Sequence, residues 1–271
     1  MKNEDSNKPL ILVSNDDGIN SPGILSLVTH LEKIARVIVV APDHEQSAVG
    51  HSLTLSRPLR VTPFHRDGEM FGYAVSGTPA DCVKMALTTL LDERPAMVVS
   101  GINHGQNTSI NILYSGTVSA VTEGMLFGIP SIAFSYCDHS WNIDMNPTGE
   151  IAMHIVEAAL NNQFIQKNKS VLLNVNIPNI PRENIRGIKI TRVGNGNWKD
   201  YYDKRQDPFG RDYYWFAGTY YYSNEDTLLS DDIAISEGFI SITPIKYEFT
   251  NFEIMGQLTN FEKIECNKLF K

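Results

Sequence analysis

From residue 10 to residue 177 the chain alternates short apolar runs of strand length with segments whose apolar residues recur at helical spacing. LILVS (10–14) is followed by 22–34, where Ile24, Leu25, Leu27, Val28, Leu31 and Ile34 share one helical face behind Ser21 as N-cap and Pro22 as first helical residue. RVIVVA (36–41) is apolar on both faces, the pattern of a strand covered from either side. Two further strands, 59–63 and 71–76, flank Asp67-Gly68, a hairpin turn. Thr78 caps a helix beginning at Pro79; strands at 96–100, 129–135 and 171–177 then alternate with helices at 116–127 and 148–160. Such an order predicts an α/β fold: a mostly parallel sheet, right-handed crossovers, and helices on both faces.

Beyond residue 190 the character changes. The stretch 198–222 is dense in aromatics around Asp207-Pro208-Phe209-Gly210, which predicts a hairpin. Its aromatics suit a stacking platform, an arm for subunit contacts, or plain cross-strand packing. One more strand, 239–245, precedes a tail of undefined structure, 246–271. A chain of 271 residues, 42% hydrophobic, can bury a full core as one large domain or two smaller ones. Its formal charge of −8 speaks against coating nucleic acid, an affinity supplied by lysine and arginine. MKNEDSNKPL at the N-terminus has no apolar segment and no later run approaches the roughly 20 residues of a membrane helix, so the chain is read as soluble and cytoplasmic. Cys82, Cys137 and Cys266 form no CxxC pair and are read as small buried hydrophobes.

In an open α/β sheet, ligands bind beyond the carboxyl ends of the strands. NDDG (15–18), PDHEQSA (42–48), GINHGQN (101–107) and YSGT (114–117) all fall there. Asp16 and Asp17 are adjacent like charges at a strand end, and a hard divalent cation with oxygen ligands relieves their repulsion. Ser47 and Asn103 can add neutral oxygens, and the lack of clustered His and Cys disfavours zinc. Ser115-Gly116-Thr117 opens a helix and, with Asn107, offers donors to an anion. Each motif alone also fits a polar turn or ordinary capping. His44, His51 and His104 lie near these loops, where a histidine can protonate a leaving alkoxide. None has a partner by spacing, so each is read as a structural or surface residue; Arg57 and Arg60 are read as surface or paired arginines, with assistance to phosphate binding as the alternative.

ILVSNDDGINSPGI, APDHEQSAVGHSLTLSRPL, VSGTPADCV, VSGINHGQN and YSGTVSAVTEG, in this order, resemble the SurE family of stationary-phase survival proteins, metal-dependent 5'-nucleotidases. NVNIP (174–178) and ISITP (240–244) fit as later landmarks of a match that is dense over 9–137. The resemblance implies one Rossmann-like domain over 1–271 that hydrolyses nucleoside monophosphates with one Mg2+ or Mn2+ per subunit; 3'-nucleotidase or polyphosphatase activity is a possible addition. Position by position it implies Asp16, Asp17, Ser47 and Asn103 as metal ligands, the two aspartates also being catalytic. It implies Asn107, Ser115, Gly116 and Thr117 as phosphate-binding residues. It also implies a homodimer or homotetramer in which the 198–222 hairpin and the 246–271 tail reach a neighbouring subunit. Ser109 stands where the family often has glycine, and Ser119 and Thr122 replace smaller residues, changes expected to alter pocket width and nucleotide preference. The attacking group is either water activated beside the cation or a carboxylate. Rival readings are a non-catalytic nucleotide-binding module and a dinucleotide-dependent oxidoreductase; the first βα turn lacks the GxGxxG that the latter requires.

Overall fold

The computed structural model describes residues 8–168, 170–225 and 227–264. Cys266 and the end of the tail from 265 lie outside the described residues. In chain order the elements are β1 (Leu10–Ser14), α1 (Pro22–Leu31), β2 (Arg36–Pro42), β3 (Val61–Arg66), β4 (Glu69–Val75), α2 (Pro79–Met85), β5 (Met97–His104), α3 (Gly116–Leu126), β6 (Ser131–Tyr136), α4 (Asn146–Asn161), α5 (Gln163–Lys167), β7 (Leu172–Ile177), β8 (Ile188–Ile190), β9 (Asn197–Gln206), β10 (Asp212–Tyr221), α6 (Asp231–Ser236), β11 (Ile240–Pro244) and α7 (Phe252–Met255). Among the described residues no helix is long and apolar enough to cross a membrane.

Nine strands form one sheet in the order β3-β4-β2-β1-β5-β6-β7-β11-β8. From β4 to β7 every neighbouring pair is parallel. The mostly parallel sheet expected from the alternation is therefore present, with antiparallel joins at β3–β4 and β7–β11. Alternate residues of β1 supply both faces: Ile11 and Val13 pack with Ile24, Leu27 and Leu31 of α1 and Val156 of α4. Leu12 faces Val83 of α2 and Val118 and Val121 of α3. Cover on both sides, complete for residues 11–14 of β1 and 39–42 of β2, is why these strands read as unbroken apolar runs.

Local chemistry fixes the ends. Ser21 accepts the Ile24 N–H at 3.3 Å, and Thr78 with Asp81 forms a capping box at the start of α2. Asp67 (φ 51°) and Gly68 (φ 86°) make the expected tight turn between β3 and β4. One expectation fails at β5, which was to end at residue 100 and instead continues to His104, pairing Asn103 with Ser135 and His104 with Tyr136 across a register shift. Glycine makes this segment look like a loop, but here it serves close packing. A methyl at Gly101 would lie 2.4 Å from the Phe134 oxygen, and one at Gly23 of α1 would lie 2.0 Å from the Ile102 oxygen.

From β1 the chain moves outward to β2, then to β3 at the sheet edge and back to β4 between them, before crossing to β5 on the other flank of β1. The order of winding reverses between β1 and β5, and a crevice opens there beyond the strand ends.

Candidate active site

The turn after β1 is braced from within. Asn15 donates from Nδ2 to the Gly18 carbonyl and to Ser21 Oγ, both at 2.9 Å, joining the end of β1 to the start of α1. The loop after β2 is drawn alongside by the Gln46 N–H donating to the Asp16 carbonyl at 2.7 Å. Asp16 then meets the N-terminus of α3. Its carboxylate accepts the Thr117 hydroxyl and a bond from the Thr117 backbone, and a methyl at Gly116 would lie 2.7 Å from Asp16 Cβ. Burial pushes the Asp16 carboxyl up to about 7; the neighbouring Asp17 charge adds to the rise and the Thr117 bonds oppose it.

Asp17 turns to the other wall. Its Oδ2 accepts the His104 backbone N–H at 3.2 Å and faces His104 Nδ1 at 3.2 Å. The His104 ring stacks on Trp141 with centroids 4.6 Å apart, and its buried Nε2 has no hydrogen-bond partner among the described residues. The extension of β5 creates this pair by carrying His104 past the end of β1.

Asp16, Ser47, Asn103, Asn107 and Ser115 line one cavity of about 540 Å³. Five of the eight residues expected at the site are thus brought to a common space. Ser47 is exposed and donates to Glu45 Oε1 at 2.5 Å. Asn103 donates to the Gly105 carbonyl at 2.6 Å, which leaves its side-chain oxygen as an acceptor. Ser115 Oγ caps α3 by accepting the Val118 N–H at 3.0 Å, so its own hydrogen remains to be donated. Asn107 commits one amide hydrogen to Ser135 Oγ at 2.9 Å and keeps the other. Asp17, Gly116 and Thr117 are not among the lining residues: Asp17 braces His104, and Gly116 and Thr117 support Asp16.

Several contributors were illegible as isolated residues. Asn174 and Asn176 of β7, fully buried, hold Asn107: its carbonyl accepts from Asn174 Nδ2 at 2.6 Å, and its N–H donates to Asn176 Oδ1 at 2.8 Å. Asp231 at the start of α6 accepts the N–H groups of Gly194 (2.9 Å) and Ser109 (3.2 Å), tying the loop before α3 to the foot of the hairpin. Burial raises its carboxyl to about 6 despite those bonds. Ser109 sits at φ 51°, the left-handed region where glycine is easiest, a backbone that fits the glycine the resemblance leads one to expect at this position. Ser119 and Thr122 donate to the Ser115 and Val118 carbonyls of their own helix and do not line the cavity, so their expected effect on its width is not supported.

Each loop histidine has a partner, contrary to the reading from spacing. His44 pairs with Asp43, His51 with Glu123 at 2.8 Å, and His104 with Asp17. Burial opposes ionisation of Glu123, but the bonds from His51 and Lys84 outweigh it and hold the carboxyl below its usual range. Arg57 and Arg60 are exposed and away from the cavity. Cys82 is buried as expected, whereas Cys137 lines the cavity.

Among the described residues no group of three or more His, Cys, Asp or Glu is gathered for metal binding. A cation at this site would rest on two carboxylates with amide and hydroxyl oxygens. That all-oxygen set, with Asp16 and Asp17 adjacent and Asp16 resisting ionisation, suits a hard dication that retains several waters.

The family model described as Survival protein SurE matches residues 11–200. A 5'-nucleotidase SurE of Flavobacterium johnsoniae is 43% identical over 264 residues, covering 97% of this chain and 99% of the relative. That of Pelotomaculum thermopropionicum is 44% identical over 254 residues, covering 93% and 95%. The crystal structure of the SurE protein from Aquifex aeolicus superposes with a TM-score of 0.79 at 40% identity, covering 94% of this chain and all of that one.

Proposed function

The chain belongs to the SurE family, and on that premise we infer that it is a 5'-nucleotidase, hydrolysing nucleoside monophosphates to nucleoside and phosphate with a divalent cation. The observation that carries this reading is the Asp16-Asp17 pair beside the switch point, with Asp16 opening onto a cavity that also holds Asn103, Asn107 and Ser115. Asp16, Asp17, Ser47 and Asn103 would hold the cation, which we propose to be Mg2+ or Mn2+, one per subunit. When bound, it supplies Lewis-acid stabilisation of charge on the phosphoryl oxygens.

The chain's own residues do the rest by holding groups in place. Thr117 donates to Asp16 and fixes the carboxylate's orientation, and the His104 N–H does the same for Asp17. Ser115 O–H and the second Asn107 amide hydrogen are free to donate to phosphate oxygens, while Asn174 and Asn176 keep Asn107 from swinging away. Gly116 lets Asp16 lie against the start of α3, whose free amides favour negative charge. Uncatalysed monoester hydrolysis is so slow that the site must remove on the order of 20 kcal/mol of barrier. Most of that comes from fixed charge and donors, because phosphoryl transfer asks mainly for positioning and electrostatic stabilisation.

We further propose that the molecule is a homodimer or homotetramer whose contacts use the 198–222 hairpin and the described part of the tail. Exposed Trp215, Phe216, Phe249 and Phe252 support it. The enzymatic reading is tested by phosphate release from AMP and GMP with Mg2+ or Mn2+ and again with chelator. Release that stops with chelator and returns with the cation is expected; release unaffected by chelator, or none with any cation, contradicts it.

A further inference from the structure

Hydrolysis of a phosphomonoester needs only the oxygen- and amide-lined part of the cavity, yet the wall continues beyond it. At about 540 Å³ the space is in the range of roughly 300–1,000 Å³ that small-molecule sites occupy, large enough for what the phosphate is attached to. The additional wall includes Tyr114, Asn111 and Trp198.

Trp198 is the one aromatic of the 198–222 hairpin that lines this cavity. It is held from two sides. Its Nε1–H donates to Asn111 Oδ1 at 2.7 Å, and the Tyr220 ring meets it edge-on with centroids 5.4 Å apart at 70°. Tyr220 is itself anchored by its hydroxyl donating to buried Asp232 at 2.8 Å. In spite of these restraints Trp198 as a residue remains 39% exposed. A tryptophan with its only donor satisfied inside the protein has a π-face, not a hydrogen bond, to offer a ligand. A face held rigid before the ligand arrives loses little rotamer freedom on binding.

We propose that Trp198 is the platform on which the nucleobase stacks, with Asn111 as the positioning residue that fixes the indole. This rests on the nucleotidase reading and assigns the base-recognition part of the same site. Stacking tolerates every base, because each has a π-face, and favours the larger purine ring. The enzyme therefore accepts a range of nucleoside monophosphates, purines preferred, and handles a phosphomonoester without a base less efficiently.

The test compares kcat/KM for AMP with kcat/KM for ribose 5-phosphate, under one saturating cation, in wild type, W198F and W198L. Leu keeps apolar bulk without a π-face; Phe keeps a ring. The AMP to ribose 5-phosphate ratio is expected to fall about tenfold or more in W198L, mainly through KM for AMP. In W198F it stays within about threefold of wild type. A wild-type ratio in W198L, or equal losses on both substrates in both variants, would overturn the assignment and make Trp198 a strut of the hairpin. Wild-type enzyme inactive on both substrates would instead overturn the nucleotidase reading and this assignment with it.

Discussion

Asp16 is a buried carboxylate with a second carboxylate next to it in sequence, and its behaviour follows from that. Its folded-state pKa of about 7 lies above the ordinary 3.8, so between those values the folded chain holds a proton that the unfolded chain has released. Stability contributed by this proton is present at low pH and is lost as pH rises from about 4 towards about 7. A cation competes with the same proton, so stabilisation by Mn2+ should grow across that window. Thermal melts should therefore show a larger Tm gain from Mn2+ at pH 7.5 than at pH 5.5, and a weaker pH dependence for cation-free D16N than for cation-free wild type. D17N should keep its circular dichroism spectrum and lose about a hundredfold or more in kcat/KM for AMP; wild-type turnover in that variant contradicts the assignment. T117V removes the hydroxyl that orients Asp16 and should weaken cation affinity about 10- to 100-fold by calorimetry. The aspartate pair was legible because two like charges at a strand end demand an explanation. The Asp17–His104 contact was not, since 87 residues separate the partners and only the extension of β5 brings them together.

Among elements, the long regular ones were readable and the short ones were not. β1, α1, β2 and the Asp67-Gly68 hairpin each carry a period or a turn signal of their own. The turns α5 and α6 and the three-residue β8 went unforeseen. They are too short to show a period and are placed by tertiary contacts: β8 by pairing with β11, α6 by the bonds that Asp231 receives. The far end of β5 was hidden because its glycine serves packing against Phe134. This gives a test at the same scale. In G23A the new methyl meets the Ile102 oxygen, so α1 and β5 must separate; chemical denaturation should show a loss of about 1–3 kcal/mol or more. Because Asn103 follows Ile102, the variant should also lose activity beyond what its remaining folded fraction explains.

The whole molecule couples these parts through one arrangement: the sheet reverses its winding between β1 and β5, and the loops at that point share the cavity. The α/β class was evident from alternation alone, whereas the neighbours of each strand depended on packing between distant segments. The aromatic hairpin shows one of its foreseen roles, cross-strand packing, and its exposed rings support the proposed second, an arm for subunit contacts. Tyr202 and Phe216 pack across the strands at 5.5 Å, while Trp215 and Phe216 remain more than half exposed, the surface on which the proposed subunit contact is tested. Sedimentation should find wild type as a dimer or tetramer and W215S/F216S shifted towards monomer; unchanged mass would place the contacts elsewhere. The central claim, that Asp16 and Asp17 jointly hold a dication serving phosphomonoester hydrolysis, is tested most directly by anomalous scattering from crystals grown with Mn2+. A single strong peak within coordination distance of both carboxylates is expected. An empty site between them, in crystals of enzyme that hydrolyses AMP with Mn2+, would contradict it.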